Sequence, residues 1–148
     1  MSSTSKQSLV RDEANAAIDL LEVKLLERYP KVECPLAHTF MPGMYMREIF
    51  MPAGSKITSR IHRYRHPFFV LSGKVNVWQD DGKGWRLIEA PYCGITEPGT
   101  RRVLDVIEDC NWITVHSNPD DTEDLETIEE ILLLKIPQVL LDLIVQYL

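Results

Sequence analysis

The sequence predicts an all-β domain, an antiparallel sandwich or barrel, preceded by an α-helix and followed by a helical extension. Eight short β-prone runs follow Pro35, and turn signals rich in Gly, Pro and charged residues separate them. Helical patterns are confined to the two ends of the chain. We therefore divide one domain into residues 1–35 (an arm and a helix), 36–118 (the barrel) and 119–148 (helical segments).

The first predicted element is an amphipathic helix. The first eight residues are rich in Ser and Thr and predict a flexible arm. Ser8 is a suitable N-cap, apolar residues then recur at helical spacing, and Pro30 ends the pattern.

The predicted strands follow in order. They are "MYMREIFM", "SKITSRI", "FFVLS", "KVNVWQ", "WRLIEA", "YCGITE", "RRVLDVI" and "NWITVHS". "DDGKG" is the clearest hairpin turn, because its glycines adopt positive φ at no steric cost. "EDCN" is predicted to be the turn between the last two strands.

In the C-terminal part, "NPDDTEDLETIEEILLLK" predicts a helix whose first turns are acidic. We expect Pro137 to interrupt this helix. Beyond it, "QVLLDLIVQYL" leaves only a narrow polar stripe. This segment is shorter than the roughly 20 apolar residues of a membrane span, so we expect no membrane partner. We expect it to be buried against the barrel or a second subunit, in a homodimer formed through the barrel edge and this helix.

Composition excludes several classes of protein. A net charge of −6 and a pI near 5.2 argue against a nucleic-acid polymer as partner. Three cysteines without Cys-x-x-Cys spacing predict buried, reduced thiols rather than disulfides or a zinc ribbon. The polar N-terminus lacks the apolar core of a secretory signal, which favours the cytoplasm.

The stretch "SRIHRYRHPFFVLSGKV" places His62 and His66 four residues apart among arginines. On a continuous strand these histidines would lie about 13 Å apart, too far to bind one ion. If "RYR" forms a turn between two strands, the two histidines lie close together.

These residues carry a family resemblance. "PAGSKITSRIHRYRH", "VLSGKV" and "GITEPGTRRVLDV" resemble the two motifs of the cupins, which are double-stranded β-helix barrels of the jelly-roll type. The first motif has a Gly, His-x-His, a Glu and a second Gly, and the second has Pro-x-Gly and then a His. The corresponding residues here are Gly54, Arg60, His62, His66, Gly73, Pro98, Gly99 and Arg102.

The resemblance implies a cupin-like jelly-roll barrel in which arginine replaces two of the four usual metal-ligand residues, at positions 60 and 102. More narrowly, segments such as "HPFFVLSGKVNVW" resemble small cupin-like proteins encoded in bacteriophage and prophage genomes. A phage protein of this kind would work in the host cytoplasm.

Three functions remain open from the sequence. In the first, the barrel mouth binds a small anion, a carboxylate or a phosphate such as a nucleotide, without any cofactor. Arg60 and Arg102 would donate charge, and His62 and His66 would donate hydrogen bonds.

In the second, a metal-dependent enzyme of the dioxygenase or isomerase kind holds Fe, Mn, Ni or Zn at His62 and His66. The third ligand would be His116, Glu48 or Cys93. The third function is a structural or host-interaction role through the protein surface. No residue is assigned as catalytic.

Other prominent residues have structural interpretations. His38 is expected to be packed or hydrogen-bonded in a loop before the first strand. The tryptophans are expected to be core or hairpin aromatics. By alternation, Trp112, Thr114 and His116 share one strand face.

Overall fold

The computed structural model describes residues 3–28, 32–79 and 81–134. The predicted interruption at Pro137 and the apolar segment 138–148 lie outside the described residues. Two helices flank seven strands: α1 (Ser3–Arg28), β1 (Leu36–Met41), β2 (Met44–Met51), β3 (Lys56–Thr58), β4 (His66–Gln79), β5 (Trp85–Glu89), β6 (Tyr92–Thr96), β7 (Arg102–Ser117) and α2 (Leu125–Leu132).

Two long strands, β4 and β7, pair with each other and run through both halves of the barrel. The C-terminal part of β7 pairs with β2, and the start of β4 pairs with β6, which gives the order β1-β2-β7-β4-β6. The other halves of β7 and β4 pair with β3 and β5 respectively. All these pairings are antiparallel, as the turn-separated runs predicted.

The strands bend where the β4–β7 pairing is irregular. Its register shifts between Val70 and Ser72, between Ser72 and Lys74, and between Lys74 and Val75. Gly73, in the middle of this region, has φ of +90°. Such bulges increase twist and bend, which lets one strand contribute to both sheets.

The core lies between the two sheets. It is formed by apolar residues that alternate along the strands: Met51, Phe68, Val70, Val75, Val77, Ile88, Leu104, Val106, Cys110 and Trp112. Phe68 and Trp112 stack with ring centroids 4.6 Å apart. The face shared by Trp112, Thr114 and His116 is therefore an interior face, and all three side chains are buried.

Helix α1 is held against the barrel by a buried ion pair. Arg101, which precedes β7, contacts Asp19, and its Nη2 donates to Glu22 Oε2 at 3.0 Å. The guanidinium also donates to the carbonyl oxygens of Asn15 and Ser59. The start of β7 is thereby fixed to the helix.

Several sequence predictions were wrong in detail. Helix α1 begins at Ser3, so the predicted arm is helical from that residue onward. Ser and Thr are only mildly unfavourable in helices, so the Ser8 cap did not set the start. "EDCN" is not a turn: residues 108–111 lie within β7, because the bulges accommodate a polar interruption that looked like a break.

The predicted strands also merge in pairs. "FFVLS" and "KVNVWQ" are one strand, β4, and "RRVLDVI" and "NWITVHS" are one strand, β7. Strand β1, residues "LAHTFM", was not predicted because four of its six residues are exposed and its half-buried residues, His38 and Phe40, do not form an apolar run. The "DDGKG" hairpin is confirmed, with Trp78 opposite Trp85 in the register.

The C-terminal helix α2 was predicted from its acidic start and is confirmed at Leu125–Leu132. Its buried residues Ile128 and Leu132 form a second apolar cluster with Leu133 and Tyr45, against one end of the barrel. Within the described parts of the chain, neither helix has the length and apolarity needed to cross a bilayer.

Candidate metal and anion site

His62 and His66 lie close together because the chain bends between them. Residues 63 and 64 form a bend, and the two imidazole centroids are 4.5 Å apart. The His62 carbonyl oxygen accepts a hydrogen bond from the Gly99 N–H at 3.0 Å, and His62 also forms a β-bridge with Leu133. The predicted "RYR" turn is thus present, fixed by the segment after α2.

His116 is the third member of the cluster. It projects from the interior face of β7, with ring centroids 5.3 Å from His62 and 4.4 Å from His66. One nitrogen from each of the three rings lies within 4.8 Å of the others. Relative exposures of 8%, 4% and 5% for His62, His66 and His116 show that the cluster is buried.

The hydrogen bonds of two rings define which nitrogens are available. His66 Nδ1 lies 3.0 Å from the Tyr64 carbonyl oxygen, which can only accept, so Nδ1 carries the proton and Nε2 keeps its lone pair. His116 Nε2 lies 2.9 Å from Thr114 Oγ1. The His62 ring packs against the rings of His66 and His116.

The surroundings keep the three imidazoles neutral. Burial, followed by His66, His116, Arg47 and Arg102, lowers the pKa of His62 to about 3. Burial, followed by His66 and Arg47, lowers the pKa of His116 to about 3. Burial also lowers the pKa of His66, although its bond to Tyr64 opposes this shift. At neutral pH each ring can therefore offer a lone pair.

Arg102 points into the barrel beside this cluster. Its guanidinium carbon lies 4.8 Å from the Phe68 ring centroid, and its Nη1 donates to Thr96 Oγ1 at 2.9 Å. Its Nε donates to Gln79 Oε1 at 3.1 Å. Burial, followed by the nearby Arg86, lowers the pKa of Arg102 to about 10, so it remains charged at neutral pH.

A cavity of about 320 Å³ lies beside His62, His66 and Arg102, whereas His116 lines a second, smaller cavity. The lining of the larger cavity includes His62, His66 and three arginines, Arg47, Arg60 and Arg102. Arg60 is exposed, whereas Arg47 is half-buried and lowers the pKa of all three histidines. One acidic side chain, Glu129 of α2, lines the same cavity.

A smaller cavity of about 100 Å³ lies on the α2 side of His62 and His116. Tyr45 lines it, stacks on His116 at 5.9 Å, and shares a hydrogen bond of 2.6 Å with His38 Nδ1. Tyr45 therefore packs on His116 within this smaller cavity.

Other residues proposed from the sequence are placed elsewhere. Glu48 neighbours Arg47 on β2 and so points to the opposite strand face, and Cys93 is exposed. Of the three candidates for a third ligand, only His116 joins His62 and His66 among the described residues. His38 is hydrogen-bonded as expected, but it lies on β1 and not in a loop.

The cysteines were predicted in part. All three thiols are free, but only Cys110 is buried, while Cys34 is half-buried in the cavity wall. On the surface, Arg65 pairs with Glu97 at 2.8 Å, Lys56 pairs with Asp105, and Lys74 pairs with Glu108.

Sequence reasoning missed Arg47, Tyr45 and Glu129. A signal for Arg47 existed: in "MYMREIFM" it alternates with Tyr45 and Ile49, so it shares their face. A charged residue on an otherwise apolar face indicates a functional position. Glu129 could not be placed, because nothing in the sequence says which barrel end α2 covers.

No family model matches the sequence, and no curated protein matches it at a significant level. Solved structures do match. The chain is similar to a protein with a double-stranded β-helix domain from Klebsiella pneumoniae, with 17% identity and a TM-score of 0.51 over 68% of this chain and 90% of that one.

Two further structures are similar. A protein from Neisseria meningitidis has 11% identity and a TM-score of 0.50, over 60% of this chain and 88% of that one. An RmlC-like cupin from Methanocaldococcus jannaschii has 8% identity and a TM-score of 0.49, over 63% and 88% respectively. At these identities the likeness concerns the fold alone: the chain has a double-stranded β-helix fold, like the Klebsiella pneumoniae protein.

Proposed function

We propose that this protein binds one divalent transition-metal ion through His62, His66 and His116, with a small anionic molecule beside it, as a metal-dependent enzyme. One observation carries the proposal: three buried, neutral imidazoles each direct a nitrogen into a region where all three nitrogens lie within 4.8 Å of one another.

The donor set fits such an ion. Imidazole nitrogen is a good ligand for zinc, iron, nickel and copper. Ligand atoms about 2.1 Å from an ion lie roughly 3.4 Å apart, so small ring rotations would close this cluster around it. Three protein ligands leave coordination positions open, where a bound metal would act as a Lewis acid toward substrate, water or dioxygen.

The arginines support an anionic partner for the metal. Three arginines and one glutamate line the larger cavity. A divalent ion placed beside Arg47 and Arg102 alone would meet Coulomb repulsion. A carboxylate or phosphate in the cavity would offset that repulsion and accept hydrogen bonds from the guanidinium groups.

The test is elemental analysis with native mass spectrometry on full-length protein purified without chelator or a histidine tag. We expect close to one equivalent of iron, manganese, nickel or zinc per chain. His62→Asn, His66→Asn and His116→Asn should each lower the metal content at least tenfold. His38→Asn is the matched control, because His38 is the remaining histidine of the chain and lies outside the cluster.

Two outcomes would contradict the proposal. Metal retained in the His116→Asn variant would show that the ion sits elsewhere. Protein that stays metal-free even when incubated with zinc or iron, yet carries an anionic adduct, would favour an arginine-lined binding site without metal.

A further inference from the structure

In the half of the barrel formed by β2 and the C-terminal part of β7, the strand register places the interior residues in order along the strands, starting from the histidines. Tyr45 of β2 pairs with His116 of β7 at the level of the histidines. One interior pair further along, Arg47 faces Thr114, and the next pair is Ile49 with Trp112. Met51 and Cys110 follow. The interior face therefore changes from polar to apolar within three pairs.

The other half of the barrel, where the start of β7 pairs with β3 and with the end of β4, shows the same change from polar to apolar interior residues. Arg102 pairs with Gln79, and the next interior residue, Leu104, pairs with Val77 and with Ile57 of β3. Arg102 donates to Thr96, which is the register partner of His66. The polar interior residues of both halves of the barrel therefore lie close to the histidines. The apolar interior residues of both halves lie further along the strands, away from the histidines.

The cavity is consequently polarised along its depth. Its inner wall consists of side chains without charge or hydrogen-bonding groups: Ile49, Met51, Ile57, Leu104 and, apart from its indole N–H, Trp112. A second charge on a ligand would be forced against this wall, where it would lose its hydration without compensation.

We infer that the cavity takes a monocarboxylic acid with a compact apolar body, bound body first, with its carboxylate at the level of Arg47, Arg102 and the three histidines. This inference rests on the proposed function, since it names the substrate class of the same site. A cavity of about 150 Å³ is enough to hold benzene. The volume of about 320 Å³ therefore accommodates one ring or a branched chain together with a carboxylate.

The test is calorimetric titration of zinc-loaded full-length protein with matched probes. Phenylacetate carries both features, acetate lacks the apolar body, benzyl alcohol lacks the charge, and succinate carries a second charge. We expect phenylacetate to bind at least tenfold more tightly than each of the others. Equal affinity for acetate or succinate would overturn the inference, as would preferential binding of inorganic phosphate or AMP.

Variants separate the apolar wall from the rest of the site. Ile49→Thr should weaken phenylacetate binding about tenfold while leaving acetate binding and zinc content unchanged. Ile113→Thr is the control, because Ile113 neighbours Trp112 on β7 and points to the outer face. Ile57→Thr on β3 provides an independent second variant if Ile49→Thr fails to fold. Equal effects of the wall variants and Ile113→Thr would contradict the inference.

Metal content measured on the same samples distinguishes the two proposals. If the protein binds no metal but still prefers phenylacetate over acetate and succinate, the metal proposal fails and the inference about the acid stands. If zinc binds and no probe is preferred, the metal proposal stands and this inference fails.

Discussion

Arg47 of β2 faces Thr114 of β7 in the register, one interior pair below Tyr45 and His116. This places a guanidinium beside the three histidines, where it lowers the pKa of each. No ion pair of Arg47 occurs within the described residues. Its charge therefore acts on the site directly.

The first prediction follows from that charge. Arg47→Met should raise affinity for zinc about tenfold in the absence of any anion, because the substitution removes a repulsive charge. The same variant should weaken binding of carboxylates. Zinc titration with and without phenylacetate measures both effects. Arg65→Met, at an exposed pair with Glu97, should change neither, and a loss of zinc affinity in Arg47→Met would contradict the argument.

The second prediction concerns the anchoring of α1. Asp19→Asn should destabilise the protein by about 3 kcal/mol, because it leaves the buried Arg101 guanidinium with only part of its compensation. Urea denaturation followed by circular dichroism measures the change. Glu97→Gln, at the exposed pair with Arg65, should cost less than about 1 kcal/mol. Similar losses in both variants would show that burial of the Asp19 pair is unimportant.

The third prediction concerns the bulge at Gly73. A Cβ there would lie 2.8 Å from both the Asp109 carbonyl carbon and the Cys110 Cα, and φ is +90°. Gly73→Ala should therefore cost more than about 3 kcal/mol or prevent folding. Gly82→Ala has a similar φ of +72° with nothing within 4 Å, and should cost only about 1 kcal/mol. Soluble yield and thermal melting compare the two variants.

The fourth prediction is a loss of stability in acid for the metal-free protein. His62 and His116 have pKa values of about 3 when folded, against about 6.5 for unfolded histidine. Between these values the unfolded chain binds more protons, so stability falls as pH falls. Each histidine should contribute about 1.4 kcal/mol per pH unit to this loss.

Urea melts in chelator from pH 7 to pH 4.5 test this expectation. The double variant His62→Asn, His116→Asn should show a flatter pH dependence than the native sequence over that range. An equally steep dependence in the double variant would assign the acid sensitivity to other groups.

The fifth prediction distinguishes the thiols. Cys93 is exposed, whereas burial raises the pKa of Cys110 to about 11 and also raises that of Cys34. At pH 8 a disulfide reagent should therefore modify Cys93 within seconds, Cys34 more slowly and Cys110 only after unfolding. Mass spectrometry after timed labelling identifies the order, and early modification of Cys110 would contradict its burial in the core.

The fold was more accessible from the sequence than the site. Turn residues and alternating apolar runs are local signals, so the barrel, the "DDGKG" hairpin and both helices could be predicted. The bend at residues 63–64 could be inferred too, since "RYR" separates His62 from His66 just before the predicted strand "FFVLS". The merging of strands into β4 and β7 could not, because bulges around Gly73 look like breaks in a linear pattern.

The composition of the site depends on contacts distant in sequence. His116 was one of three candidate ligands, and only the pairing of β7 with β2 and β4 places it beside His66. Arg102 could be identified because it fills a motif position, whereas Arg47 belongs to no motif and was missed. Glu129 enters the cavity lining only because α2 docks at this end of the barrel.

Strand β7 has a consequence for how this chain tolerates changes in length. It supplies Arg102 from one sheet and His116 from the other, fourteen positions later on the same continuous strand. Side chains on a strand alternate between faces, so one residue inserted or deleted between them would turn one of the two out of the interior. No residue of the site or of the core would have been replaced, yet Arg102 and His116 would no longer both face the interior. Substitutions at outward-facing positions of β7 are therefore expected to be better tolerated in related sequences than single-residue gaps.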